Sequence, residues 1–350
     1  KAIPWALPLA TAACGGRPPP EPLAEPAPPP PIAEGPAPGP VEPEPAPAEP
    51  TPEELKKAED LKKLAADREK LKTDHATEIA RWTPELRAEA KALADKSYPS
   101  ARAAIQAPPK GKHRKPAHTE RDAQRHALGT LEHFGFKPTQ TVLEYGPGEG
   151  WYTELLAPAL AKQGKLIVTN TDPKGPATER STFYGERLQM FLEKSPEVYG
   201  KVEVVTIDPK APKLGLEGTV DLALVMRGLH GMHNNKVLDA WLAEIHRALK
   251  PKGVLGIEQH RAKADANPDE SSKQGYLPEK WVIEKIEGAG FKLAAKSELN
   301  ANKKDTKDHP EGVWALPPTL RNGEKDRDKY IAIGESDRMT LRFVKVEPKK

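Results

Sequence analysis

Short apolar runs recur along the second two thirds of the chain, and each closes on a polar residue before a turn or a helical pattern begins. VLEY covers 142–145, LIVTNTD covers 166–172 and ends in Asp172, and VEVVTID covers 202–208 and ends in Asp208. VDLALVMRGLH (220–230) and GVLGIEQH (253–260) follow. Between these last two, Val237, Leu238, Trp241, Leu242, Ile245 and Leu249 recur at helical spacing and stop at Pro251-Lys252-Gly253. Runs apolar throughout, separated by helices, predict a parallel sheet covered on both faces. FKLAAKSEL (291–299) and MTLRFVKV (339–346) predict a closing antiparallel hairpin. The expected fold class is therefore α/β, a doubly wound, mostly parallel seven-stranded sheet.

The stretch 142–158, VLEYGPGEGWYTELLAP, carries the candidate chemistry. An apolar strand containing Glu144 runs into Gly146, Gly148 and Gly150, and a helix is expected from about Gly150 to Ala161. Glycine admits positive φ and lets a ligand approach where a Cβ would collide. The free N–H groups of the following helix favour a carboxylate or phosphate above the loop. On such sheets, ligands bind at the carboxyl ends of the strands, where the loop, Asp172, Asp208 and His230 should converge. A tight turn with no ligand is the bland alternative.

A nicotinamide dinucleotide would also suit a glycine loop followed by an acid, but the spacing is E-x-G-x-G-x-G, with no GxGxxG. It resembles the first motif of class I S-adenosylmethionine-dependent methyltransferases, which implies a Rossmann-like fold. The resemblance implies that Asp172 holds the cofactor ribose, that Asp208 lies beside the adenine, and that HRALKPKGVLGI is the helix and turn before the fifth strand. GPGEGWYTELLAP, NANKKDTKDHPEGVWALPPTL and YIAIGESDRMTL are together similar to a family of predicted bacterial methyltransferases that often carry export signals. The likeness covers about two thirds of the chain and supplies no substrate.

Methyl transfer is an in-line displacement, so alignment and desolvation should dominate, and a base is needed only if the acceptor loses a proton. His230 after the fourth strand and His260 at the end of the fifth are the candidate catalytic bases. Glu144, Tyr145, Gly146, Gly148, Gly150, Trp151, Asp172, Asp208 and Arg227 are the candidate cofactor-binding residues. Tyr145, Trp151 and Tyr152 could place an aromatic face near a sulfonium, or pack the following helix. Arg227 could hold an acidic substrate or pair with Glu258. His230, His233 and His260 lack evident carboxylate partners, so no metal site is expected. Residues 300–337 show no clear period and hold Asp305, Asp308, His309, Trp314 and Arg321. An ordered lid that selects the substrate is expected there.

The chain before residue 119 differs in kind. Nineteen of the 39 prolines fall in the first 52 residues, and 17–52 is Pro, Ala and Glu with almost nothing to bury, so a disordered, extended tether is expected. Upstream, IPWALPLATAACGG within 1–16 places an apolar run before small residues and Cys14, the only cysteine, and resembles the end of a bacterial lipoprotein signal, although Thr11 stands where Leu is usual. A lipid on Cys14 would be the only membrane contact, because no segment reaches the ~18 apolar residues of a spanning helix. Thr51-Pro52-Glu53 and Thr83-Pro84-Glu85 start helices in a charged segment, 53–118, that could pack on the 119–350 domain or form a coiled coil. A net charge of +3 with one basic cluster, GKHRKPAH, gives no polyanion footprint, so nucleic acid is not an expected partner.

Three functions are compatible with these residues. The first is methyl transfer from S-adenosylmethionine to a small-molecule or envelope acceptor. The others are an exported binding protein that keeps the fold without the reaction, and an envelope scaffold. Retention of the glycine loop, Asp172 and Asp208 favours the enzyme, placed in the envelope or periplasm, with the cytoplasm as the alternative.

Overall fold

Alternation along each inner strand sends neighbouring side chains to opposite faces of one sheet, and both faces are buried. In β1 (Thr141–Tyr145), Val142 joins one core and Leu143 the other. In β2 (Lys165–Asn170), Leu166 and Val168 face the first core and Ile167 the second. β4 (Val220–Met226) divides Leu222 and Leu224 from Ala223 and Val225 in the same way. With β3 (Glu203–Thr206), β5 (Leu249–His260), β6 (Phe291–Ser297) and β7 (Arg338–Lys345), the order is β3-β2-β1-β4-β5-β7-β6. The pairings among β1 to β5 are parallel, and β7 runs antiparallel to both β5 and β6. This is the Rossmann-like architecture that the apolar runs predict, with the strand order reversing at β1 and β4.

The computed structural model describes residues 50–347 together with Gly35. Cys14 and nearly all of the expected tether lie outside the described residues. Among the described residues, no helix is long and apolar enough to cross a membrane.

The charged segment before residue 119 packs on the α/β unit. Its helices, Pro52–Arg81 and Pro84–Ala94, begin where the Thr-Pro-Glu signals place them, and the Thr83 side chain accepts from the Leu86 N–H. Arg68 pairs with Glu186 at 2.9 Å, and Arg87 pairs with Glu197 at 3.1 Å. Trp82, Leu86, Ala90 and Tyr98 belong to the same core as Val142 and Leu156. Packing is therefore continuous across residue 118, and residues from Pro52 onward form one compact unit.

Glu154 is the centre of that junction. It opens the helix Thr153–Leu160 that follows the glycine loop, and its side chain is fully buried. Its carboxylate accepts from His118 Nδ1 at 2.9 Å, Lys194 Nζ at 3.0 Å and the Lys115 N–H at 3.1 Å. Lys194 also reaches Glu78 on the long first helix at 3.2 Å. Burial would raise the Glu154 pKa, but the His118 hydrogen bond and the Lys194 charge outweigh it and hold the group down at about 2.

Removing one partner of a buried ion pair strands the other, at a cost of about 3–5 kcal/mol. Lys194→Met should lower unfolding free energy at pH 7 by about that amount, read from urea denaturation. In the unchanged protein the folded carboxylate titrates below its unfolded value of 4.5. The stability that Glu154 contributes should be complete above about pH 4.5 and be lost as pH falls through about 2. An unchanged urea midpoint in Lys194→Met would show that the network does not hold the junction.

Candidate active site

The carboxyl ends of β1, β2 and β4 surround the turn Gly146-Pro147-Gly148-Glu149-Gly150, and two cavities meet on it. Gly146 has φ 52° and Gly148 φ 65°, and a Cβ built on either would meet nothing within 4 Å. Both therefore present bare backbone to open space. Gly150 differs: at φ 84°, its Cβ would lie 2.4 Å from the Phe191 ring, so packing as well as conformation requires glycine there. The Gly146 N–H donates to Thr169 Oγ1 at 2.9 Å, which joins the loop to β2.

The first cavity, about 330 Å³, is lined by Tyr145, Gly146, Thr169, Asn170, Thr171 and Trp241 among others, with Ile207 and Pro209 beyond the end of β3. Tyr145 meets Trp241 edge-on, with centroids 4.6 Å apart, and burial pushes its phenol up to about 12. The second cavity, about 300 Å³, shares Tyr145, Gly146 and Gly148, and adds Glu144, Trp151, Arg121, Arg125 and Arg227. Burial pushes the Glu144 carboxyl up to about 7, against the downward pull of its hydrogen bond from Thr153 Oγ1 at 2.8 Å and of the Arg227 charge.

Of the residues that the sequence singles out, Glu144, Tyr145, Gly146, Gly148, Trp151 and Arg227 come together at these cavities. Trp151 is 4% exposed, donates its indole N–H to the His118 carbonyl at 2.8 Å, and has the guanidiniums of Arg114 and Arg125 5.3 and 5.1 Å from its ring centroid. Arg227 has φ 61°, an uncommon conformation for a side-chain-bearing residue. Glu258 holds it there by accepting from both its backbone N–H and its Nη1, each at 2.6 Å.

Asp172 and Asp208 line neither cavity. Each lies two residues past the end of its strand, is exposed, and accepts from the N–H two positions on, that of Lys174 or Lys210, at 2.8 Å. The cavity wall is made instead by their neighbours Asn170, Thr171, Ile207 and Pro209, because the chain turns outward as soon as the strands end.

His230 and His260 lie 5.9 Å apart by ring centroids, outside the lining of both cavities. His230 faces Trp314 at 6.0 Å, and His260 Nδ1 is 2.5 Å from Ser336 Oγ. Burial lowers the His230 pKa to about 4, and burial with the neighbouring charges of His230 and Arg227 holds His260 well below its usual value. Both shifts favour the uncharged imidazole. Segment 300–337 is ordered by the buried Asn300, Asp305, His309, Leu316 and Tyr330, and it reaches the second cavity through Pro318.

Reading the sequence alone missed Arg121, Arg125, Asn170 and Trp241. The two arginines stand in a short polar segment with no motif, and Asn170 was overshadowed by the acid two positions on. Trp241 reads as core from its helical spacing, and it is core as well as cavity wall.

No curated protein matches this sequence. Solved structures with a similar fold include a SAM dependent methyltransferase from Aquifex aeolicus, 19% identical over 66% of this chain and 94% of the other, with a TM-score of 0.41. Another is the Burkholderia thailandensis 1,6-didemethyltoxoflavin-N1-methyltransferase with bound 1,6-didemethyltoxoflavin and S-adenosylhomocysteine, 18% identical over 66% and 84%, with a TM-score of 0.39. The [4+2]-cyclase SpnF is 16% identical over 68% and 86%, with a TM-score of 0.43. A family model described as "Methyltransferase domain" matches residues 76–293, a span that takes in the end of the first helix, the glycine loop and the sheet as far as β6, and the chain belongs to that methyltransferase family.

Proposed function

We propose that this protein transfers a methyl group from S-adenosylmethionine to a small-molecule or envelope acceptor. The observation that carries the reading is the pair Gly146 and Gly148, whose positive φ and open Cβ directions form a cradle that any larger residue would fill. When bound, the cofactor supplies a methyl group on a sulfonium, activated for in-line displacement.

The residues present fit that group. The first cavity offers what an adenosine end requires: an apolar slot between Tyr145, Ile207, Pro209 and Trp241, with the polar Asn170 and Thr171 at the end of β2. The second cavity offers Glu144, whose carboxylate would face the cationic end, and a wall completed by Trp151, Tyr152 and Pro318. Excluding water there strengthens each charge interaction. Arg227 and Tyr152 both hydrogen-bond the buried Glu258, which fixes the cavity wall between the ends of β4 and β5. Retention of an envelope location through Cys14 is proposed on the sequence alone. Labelling of the unchanged protein by radioactive palmitate, absent from Cys14→Ser, is the expected result.

Calorimetric titration of S-adenosylmethionine and S-adenosylhomocysteine into the full chain should give micromolar binding. Gly148→Val should weaken it at least about tenfold, because a β-branched residue at φ 65° is strained and its side chain enters the cavity. Gly215→Val has the same kind of backbone, φ 63° with nothing near its Cβ direction, and lines neither cavity, so it should leave affinity unchanged. Equal weakening by both substitutions, or no binding to the unchanged chain, would remove the reading.

The raised Glu144 pKa yields a pH dependence of definite sign. A cationic ligand favours the ionised carboxylate, so binding must release the proton that Glu144 holds below about pH 7. S-adenosylmethionine affinity should therefore rise by about tenfold between pH 5.5 and pH 7. In Glu144→Gln it should be flat over that interval, and a slope of the same size would assign the proton elsewhere.

A further inference from the structure

The second cavity carries more positive charge than its own carboxylates neutralise. Arg121, Arg125 and Arg227 line it, and they share two carboxylates, Glu258 and Glu335, with Arg338, which lies outside the lining. Glu335 accepts from Arg121 Nε at 2.8 Å and from Arg125 Nε at 3.1 Å, and it pairs with Arg338 as well. Glu258 is committed to Arg227 and to the Tyr152 hydroxyl, with Arg338 Nε at 3.4 Å. The other charges on the wall are already paired: Arg187 faces Glu149 at 3.6 Å, and His118 is held by Glu154. Glu144 is the one further carboxyl, and burial keeps it near half ionised at neutral pH.

Arg121 and Arg125 both direct Nε at Glu335, and their Nη groups make no hydrogen bond among the described residues, although both side chains line the cavity. Burial, and with it the charge of Arg227, presses the Arg121 guanidinium below its ordinary pKa, so the cations lie close enough to repel. Like charges gathered in a part-buried cavity persist when a counter-charge joins them in the working complex. The methionine end of S-adenosylmethionine brings one carboxylate together with an ammonium and a sulfonium, so it adds no net negative charge.

We infer that the second cavity recognises an acceptor bearing an oxyanion, a carboxylate or phosphate, gripped by the free guanidinium edges of Arg121 and Arg125 together with Arg227. A planar guanidinium edge matches two oxygens of either group. The inference rests on the proposed cofactor site and names the substrate class that would complete it. The anion and the cofactor occupy the cavity together, so an acceptor anion binds to the cofactor-loaded protein and does not displace the cofactor.

The test is titration of inorganic phosphate and, separately, malonate into the full chain saturated with S-adenosylhomocysteine, at constant ionic strength against chloride. The expected result is saturable binding of at least one anion; the anion that binds distinguishes the phosphate from the carboxylate source. Arg121→Gln should weaken it at least fivefold and Arg121→Lys less, each read at saturating S-adenosylhomocysteine. Absence of binding by both anions to the loaded, unchanged chain overturns the inference. So does binding that S-adenosylhomocysteine displaces, which would place the anion in the cofactor's own carboxylate position. Both results are read on the unchanged chain, so they decide the question even if Arg121→Gln fails to fold. Failure of S-adenosylhomocysteine itself to bind is a separate readout and counts against the cofactor site, not against the acceptor chemistry.

Discussion

One buried carboxylate, Glu154, sets the position of nearly everything around the site. It begins the helix that leaves the glycine loop, and it can stay ionised without water only because His118, Lys115 and Lys194 converge on it. Those partners come from the segment before the sheet and from the end of the helix Arg180–Glu193, so satisfying one charge fixes three parts of the chain at once. Trp151 adds to the same junction through its bond to the His118 carbonyl and its ring contacts with Arg114 and Arg125. The loop is held at its far end by this network and at its near end by the Thr169 hydroxyl. Its backbone is thus anchored on both sides of the cavities.

Within the loop, the three glycines divide two tasks that look alike in a motif. Gly146 and Gly148 keep space open, whereas Gly150 makes room for Phe191. A Cβ at either of the first two would cost conformational energy and occupy the cavity; at Gly150 it would drive the helix Arg180–Glu193 from the loop. Burial then supplies the unusual electrostatics. The same low-polarity surroundings that hold Glu144 near neutral pH and keep His230 and His260 uncharged make the guanidiniums around Glu258 and Glu335 interact strongly.

Several expectations were legible because they depend on local chemistry. Apolar runs at α/β spacing, Thr-Pro-Glu helix starts and the glycine-rich turn each state a backbone preference that neighbouring residues enforce, and the elements lie near where those signals put them, although β5 begins at Leu249, within the turn expected at Pro251-Lys252-Gly253. The ends of β2 and β3 were less legible. An acid at the close of an apolar run reads as aimed at the ligand, yet Asp172 and Asp208 each turn back to cap their own loop. A difference of two residues in where a strand ends decides which side chain faces the cavity, and boundaries are the weakest part of a periodicity argument.

By itself, then, the sequence determined the class of sheet, its two-faced core and the glycines that open the site, because these follow from side-chain period and backbone freedom. Only the tertiary structure decided the electrostatics. Arg121 and Arg125 meet Glu335 across more than two hundred residues, Lys194 meets both Glu78 and Glu154, and His230 and His260 end in a neutral pair behind Trp314. The energy of a charge depends on what surrounds it in space, and no local pattern records which distant partner the fold brings to it.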